Sequence, residues 1–171
     1  MSSAPKLERF STDGITVLVV EDDETTRSLL VRMLKTMGAS QVYEASHGGD
    51  GLRLAWEMKP TIAVCDIDMA PVDGLSFLGG VRGALEPKVS ALPVVMFTAT
   101  KDSAAMEKAK ALGVQGYLLK PFNPKGFATY MCDIVAKHHK TDWGGMGAPQ
   151  AAGEEKEKEK EKEKEKEKEK T

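Results

Sequence analysis

Five short, mostly apolar runs divide the chain, and most of them stop against a polar residue. Ile15–Val20 stops at Glu21, Thr61–Asp66 ends on a carboxylate, Pro93–Thr98 ends on a hydroxyl, and Gly116–Lys120 ends on a lysine. Gln41–Ala45 is a shorter and more polar run of the same kind. Runs of this length, rich in Val and Ile and bounded by Pro, Gly or acids, read as strands. Their apolar letters are continuous rather than alternating, which predicts burial on both faces of a sheet.

Between the runs the apolar period changes to that of a helix. Leu29, Leu30, Met33, Leu34 and Met37 fall on one face, and Gly38 suits the position just past the helix end. His47–Met58 predicts a second helix carrying Leu52, Ala55 and Trp56, ended by Lys59-Pro60. A third starts near Asp73 and carries Leu75, Phe77, Leu78 and Val81, with Gly79, Gly80 and Gly83 weakening its last turns. Asp102 caps a fourth helix that runs to Leu112 and closes at Gly113. Pro124 suits the first position of a fifth, which buries Phe127, Tyr130, Met131, Ile134 and Val135. Strict strand–helix alternation predicts an α/β, doubly wound, five-stranded parallel sheet with helices on both faces.

The composition sets the organisation. Residues 1–12 are polar and irregular and are expected to form a flexible arm, and 13–140 hold the folded domain. Residues 141–171 are expected to be a Gly-rich linker and a tail. From Glu154 to Lys170 the tail alternates Glu and Lys, pairing opposite charges at i,i+3 but like charges at i,i+4. It has no apolar face with which to join a core. The formal net charge of −2 implies no general attraction to nucleic acid or to an anionic membrane. No apolar run approaches the roughly 20 residues that span a bilayer, and Met1–Phe10 has no apolar signal region. A cytoplasmic protein is the expectation. Cys65 and Cys132 lie in apolar segments without CxxC spacing and are expected to be buried thiols.

The candidate chemistry gathers at the carboxyl ends of the strands, where open parallel sheets bind ligands. The first strand delivers Glu21 and Asp22, the third Asp66, the fourth Thr98 and the fifth Lys120. Asp66 and Asp68 also have an ordinary reading as turn formers after a strand. Taken together, three carboxylates, a hydroxyl and an ammonium suit phosphoryl chemistry. The carboxylates repel one another, and a hard divalent cation such as Mg2+ relieves that repulsion. A carboxylate beside a lysine can then attack a phosphoryl group and hold it as an acyl phosphate, the lysine and the cation offsetting the oxygens' charge. Asp23 and Glu24 read as first-turn acids favoured by the helix dipole. His47, His138 and His139 have no carboxylate or cysteine partner at ligand spacing, and the last two read as a solvated helix end.

Four segments carry a resemblance to a known family: VVEDDETTR from Val19, VCDIDMAPVDG from Val64, FTA from Phe97 and YLLKPF from Tyr117. In this order, each at a strand end, they resemble the receiver domain of two-component response regulators, in particular stand-alone chemotaxis-type regulators. The resemblance implies a (βα)5 flavodoxin-like fold with strand order 2-1-3-4-5. It implies Asp66 as phosphoacceptor, Glu21 and Asp22 as the acidic pair for Mg2+, and the backbone carbonyl of Asp68 as a further metal ligand. It also implies Thr98 as the switch hydroxyl, Tyr117 as the switch aromatic, Lys120 as the lysine contacting phosphate, and a cis Lys120-Pro121 bond. A sensor histidine kinase or histidine phosphotransfer protein would donate the phosphoryl group. A downstream protein would dock on the face of the fourth helix, fifth strand and fifth helix, with no nucleic acid and no membrane insertion involved. One departure stands out: the family usually has Pro at the position of Ala70, and here Pro71 follows instead. The competing reading is a haloacid-dehalogenase-type phosphatase using Asp66 and Asp68. Order opposes it, because that class places its nucleophile strand first, and no cap insertion is present. A degenerate receiver that binds constitutively is opposed by the complete set of site residues.

Overall fold

The structure is a computed structural model describing residues 7–99 and 102–139. The expected linker and tail, and residues 1–6 of the expected arm, lie outside that range. Strands β1 (Thr16–Val20), β2 (Gln41–Ala45), β3 (Ile62–Asp66), β4 (Val94–Thr98) and β5 (Gly116–Leu119) pair in parallel in the order β2-β1-β3-β4-β5. This is the flavodoxin-like order expected, and it sets β1 beside β3.

Helices α1 (Glu24–Thr36), α2 (Gly48–Met58), α3 (Gly74–Arg82), α4 (Pro87–Ser90), α5 (Ser103–Ala111) and α6 (Pro124–His139) connect and flank the strands. The short α4 was not expected, so the fourth and fifth helices of the sequence pattern are α5 and α6. It forms because Glu86 caps it and Pro87, preset for helix, takes its first turn. Four residues carry no apolar period, which is why patterning passed it over.

The strands divide two cores between them, as continuous apolar runs require. Val17, Val19, Ile62, Val64, Val95 and Phe97 face α1 and α6. Leu18, Val20, Ala63, Cys65, Val94 and Met96 face the other side, where Ala55 of α2, Phe77, Leu78 and Val81 of α3 and Ala109 of α5 cover them. All of these side chains are buried.

Several sequence expectations need correction. In α1 the buried stripe is Leu30, Val31, Met33 and Leu34, continued by Met37; Val31 packs into the core and Leu29 is 45% exposed. Trp56 is likewise 43% exposed, and Gly48, Gly51 and Ala55 are the residues α2 buries. From Leu7 onward the supposed arm is docked: Leu7 and Phe10 pack on the α1/α6 core, and the Phe10 amide donates to the Met37 carbonyl at 2.9 Å. Cys65 is buried, but Cys132 is only half-buried, and both are free thiols. Tyr130 is half-buried because its phenol leaves the core to reach the backbone of Tyr117.

Candidate functional site

β1 and β3 end side by side, and that adjacency assembles the site. The register pairs Val20 with Cys65, so the next residues, Glu21 just past β1 and Asp66 at the end of β3, come out side by side. Asp22 follows in the turn into α1. One carboxylate oxygen from each of Glu21, Asp22 and Asp66 lies within 4.8 Å of the others. Glu21 and Asp66 are buried at 1% and 5% exposure, whereas Asp22 faces solvent. Strand β5 ends at Leu119, and Lys120 reaches across the sheet edge from there. Its Nζ donates to Glu21 Oε2 at 2.7 Å and to Asp66 Oδ2 at 2.9 Å. It also sits 4.7 Å from the centroid of the Phe97 ring.

The protonation states follow from this packing. Burial disfavours the Glu21 anion and lifts its pKa above the ordinary value; Lys120 pulls it back and Asp66 pushes it further up. Burial alone would lower the Lys120 ammonium, but its hydrogen bonds to Glu21 and Asp66 outweigh that and hold it above its usual value. Lys120 is therefore firmly charged between two buried carboxylates. Burial, followed by the charges of Asp68, Asp102 and Asp66, raises the Tyr117 phenol.

The loop after Asp66 folds tightly back. Its Asp68 amide points at Asp66 Oδ1 at 3.4 Å, and the Gly74 amide donates to the Ile67 carbonyl at 3.0 Å. A Cβ on Gly74 would lie 2.0 Å from the Asp66 carbonyl oxygen, so only glycine fits there. Asp73 caps α3 by accepting from the Ser76 amide at 2.7 Å. The peptide bonds Ala70–Pro71 and Lys120–Pro121 are both cis. At the end of β4, the Thr98 hydroxyl donates to Asp68 Oδ2 at 3.1 Å.

The response regulator receiver domain family model matches residues 17–131. The chain belongs to that family. This receiver domain is 33% identical over 110 residues to a probable chemotaxis protein CheY of Rhizobium etli, covering 64% of the chain and 84% of that protein. It is 37% identical over 108 residues to the regulator of RpoS of Escherichia coli K12, covering 63% of the chain and 31% of that much longer protein. Among solved structures, the chemotaxis regulator CheY4 of Vibrio cholerae superposes with a TM-score of 0.64 at 26% identity, covering 71% of the chain and 98% of CheY4. A response regulator from Chloroflexus aurantiacus gives 0.66 at 30% identity, covering 72% and 99%. Membership of the receiver family removes the support for the phosphatase reading of Asp66 and Asp68.

The receiver domain thus brings Glu21, Asp22, Asp66 and Lys120 together, with Asp68 and Thr98 bonded to each other beside them. Tyr117, half-buried on β5, pairs in register with Met96 of β4, two residues before Thr98. Sequence reasoning passed over three residues, two near this edge and one at the far end of the sheet. His47 has a carboxylate partner after all: its Nε2 lies 3.2 Å from Asp50, and its Nδ1 accepts from the Gly49 and Asp50 amides as the cap of α2. Arg27 was quoted in a motif but given no role. Arg82 donates to the carbonyls of Ser90, Leu92 and Gly113 at 2.9 Å each and to Gln115 Oε1 at 2.7 Å, tying together the opposite end of the sheet. None of the three carried a readable signal, because histidine is not among the usual helix-capping residues and the reach of an arginine is set by the fold. Among the described residues no helix is long and apolar enough to cross a membrane.

Proposed function

We propose that Asp66 accepts a phosphoryl group from a sensor histidine kinase or histidine phosphotransfer protein, and that the phosphorylated domain changes its binding to a partner protein. The observation that carries this is the buried Asp66 carboxylate held 2.9 Å from Lys120 within the Glu21–Asp22–Asp66 cluster. An Asp66 oxygen attacks phosphorus, the P–N bond to the donor imidazole breaks, and its electron pair remains on the imidazole nitrogen. An acyl phosphate is left on Asp66. The Lys120 ammonium is positioned to offset charge on the phosphoryl oxygens. Burial keeps competing water away from the nucleophile.

The donor set fits a hard divalent cation: three carboxylate oxygens close together, one of them open to solvent on Asp22. Glu21, Asp22 and Asp66 would hold Mg2+, with the Asp68 carbonyl as a further oxygen. Once bound, the cation supplies positive charge against the phosphoryl oxygens. Lys120 already links two of the three carboxylates, so the cluster is partly neutralised before any cation arrives.

The output is read at Thr98 and Tyr117, and the partner face is formed by α5, β5 and α6. This assignment rests on family membership and on the closeness of Thr98 to Asp68. A cytoplasmic location accords with that reading.

The test is phosphorylation by a small acyl phosphate with Mg2+, followed by intact mass. Wild type should gain one phosphoryl group and Asp66→Asn none, because an amide is not a competent nucleophile here. A full adduct on Asp66→Asn would assign the acceptor elsewhere. Phosphotransfer from purified histidine kinases then identifies the donor.

A further inference from the structure

Arg27 touches none of the carboxylate oxygens, yet it fastens the turn that carries two of them. It sits in the second turn of α1 and reaches back toward the preceding loop. Its Nη1 donates to the Glu21 carbonyl at 2.7 Å and lies 3.3 Å from the Asp22 carbonyl. On the far side, Nε lies 3.6 Å from Glu44 Oε2 of β2. The Arg27 side chain is largely buried and that of Glu44 half-exposed. Asp23 is pinned from the same helix, accepting from the Thr26 amide at 2.7 Å.

Resting on the cation reading above, we infer that Arg27, oriented by Glu44, is a positioning residue: it holds the Glu21–Asp22 backbone so that both carboxylates converge on Asp66. A planar guanidinium offers fixed donors in several directions and can hold two carbonyls and a carboxylate at once; a lysine ammonium cannot span them. Fixing the turn therefore limits the reorganisation that three converging oxygens would otherwise need on taking up a cation.

The two effects of Arg27 on a cation have opposite signs, and that makes the inference testable. As a nearby positive charge, Arg27 repels Mg2+, so a purely electrostatic role predicts tighter binding when it is removed. As a positioning group it predicts weaker binding. Groups that orient metal ligands without touching the metal typically account for about 10- to 100-fold in affinity.

The experiment is Mg2+ titration of the full-length protein, followed by calorimetry, for wild type, Arg27→Ala, Arg27→Lys and Glu44→Gln. Arg27→Ala should bind Mg2+ about tenfold more weakly. Arg27→Lys keeps the charge and loses the fork, so it should also weaken binding severalfold. Glu44→Gln, an exposed change that should leave the fold intact, should weaken it about twofold, in the same direction. In the metal-free protein, amide exchange at Asp22 and Asp23 should be faster in Arg27→Ala, a local change that general destabilisation would not confine to this turn. Equal or tighter Mg2+ binding by Arg27→Ala, or full affinity in Arg27→Lys, overturns the positioning role. If Arg27→Ala does not fold, the Arg27→Lys titration decides by itself: full affinity overturns the role and weakened binding supports it. If wild type itself binds no Mg2+, the proposed function fails and this inference with it, a result distinct from equal binding by all variants.

Discussion

Replacing Lys120 with methionine isolates what its ammonium does for folding. Methionine keeps much of the aliphatic stem but removes the charge between Glu21 Oε2 and Asp66 Oδ2, now 2.7 and 2.9 Å away. At an effective dielectric of about 20, unit charges about 3 Å apart attract by roughly 5–6 kcal/mol. Desolvation of the ammonium and partial solvent access offset much of the two contacts, leaving a net loss of about 3 kcal/mol on removing one partner of a buried cluster. For a domain of this size that lowers Tm by roughly 10 °C. The loss should depend on pH with a definite sign. Glu21 already titrates above its unfolded value of 4.5, chiefly because it is buried, and without Lys120 it must rise further. A raised acid binds a proton in the folded state that the unfolded chain has released, so stability falls as pH rises between the unfolded and folded values. Lys120→Met should therefore approach wild-type stability near the unfolded glutamate value of 4.5 and fall behind it toward neutrality. Saturating Mg2+ should restore more stability to the variant than it adds to wild type, because a held cation replaces the missing charge. Urea denaturation across this pH range, with and without Mg2+, measures all three effects. Parallel stability curves for the two proteins would refute the reasoning.

Two further changes test the scaffold. Gly74→Ala places a methyl 2.0 Å from the Asp66 carbonyl and should cost at least about 3 kcal/mol, or prevent folding; near-normal urea stability would show that the loop yields freely. Arg82→Met takes a donor from three carbonyls and the Gln115 amide oxygen; Gly113 and Gln115 keep a second donor each, from Gln115 Nε2 and the Val94 amide, while the Ser90 and Leu92 carbonyls lose theirs. It should lower stability by about 3 kcal/mol while leaving phosphorylation of the folded protein unchanged, as thermal melts and intact mass would report.

What could be read from the sequence was whatever the backbone dictates locally. The continuous apolar runs of β1, β3 and β4 marked strands buried on both faces, whereas the edge strands β2 and β5 are only partly buried, and each run's last residues marked the sheet edge. The strand order that brings Glu21 to Asp66 was not local information; it came only as what the family resemblance implies, and the structure has it. Single caps were local, and readable: Asp73 and Asp102 precede helical periods and do accept amides of the first turn. Side-chain reach was not readable. Arg82 bonds to residues 8 to 33 positions away, and Lys120 to Glu21 across 99. Such partners depend on which strands become neighbours and on where a long side chain finds acceptors. Leu29 and Val31 show the same limit within a helix. Both letters are apolar, and only packing against the sheet decides which is buried.

The resting site also constrains how a switch at Thr98 could work. A hydroxyl has one proton, and Thr98 directs its own to Asp68 Oδ2 at 3.1 Å. A phosphoryl oxygen on Asp66 can receive that proton only if Asp68 gives it up. The exchange replaces a bond to one anion with a bond to another, so its net free energy is smaller than that of either bond. Such near-balance is what a reversible two-state element needs: small differential interactions then shift its populations. The Asp68 amide lies 3.4 Å from Asp66 Oδ1, so the backbone of the competing residue is linked to the carboxylate that would carry the phosphoryl group. Charge arriving at Asp66 thus acts on both sides of the exchange, drawing the Thr98 hydroxyl while disturbing the loop that holds its present acceptor.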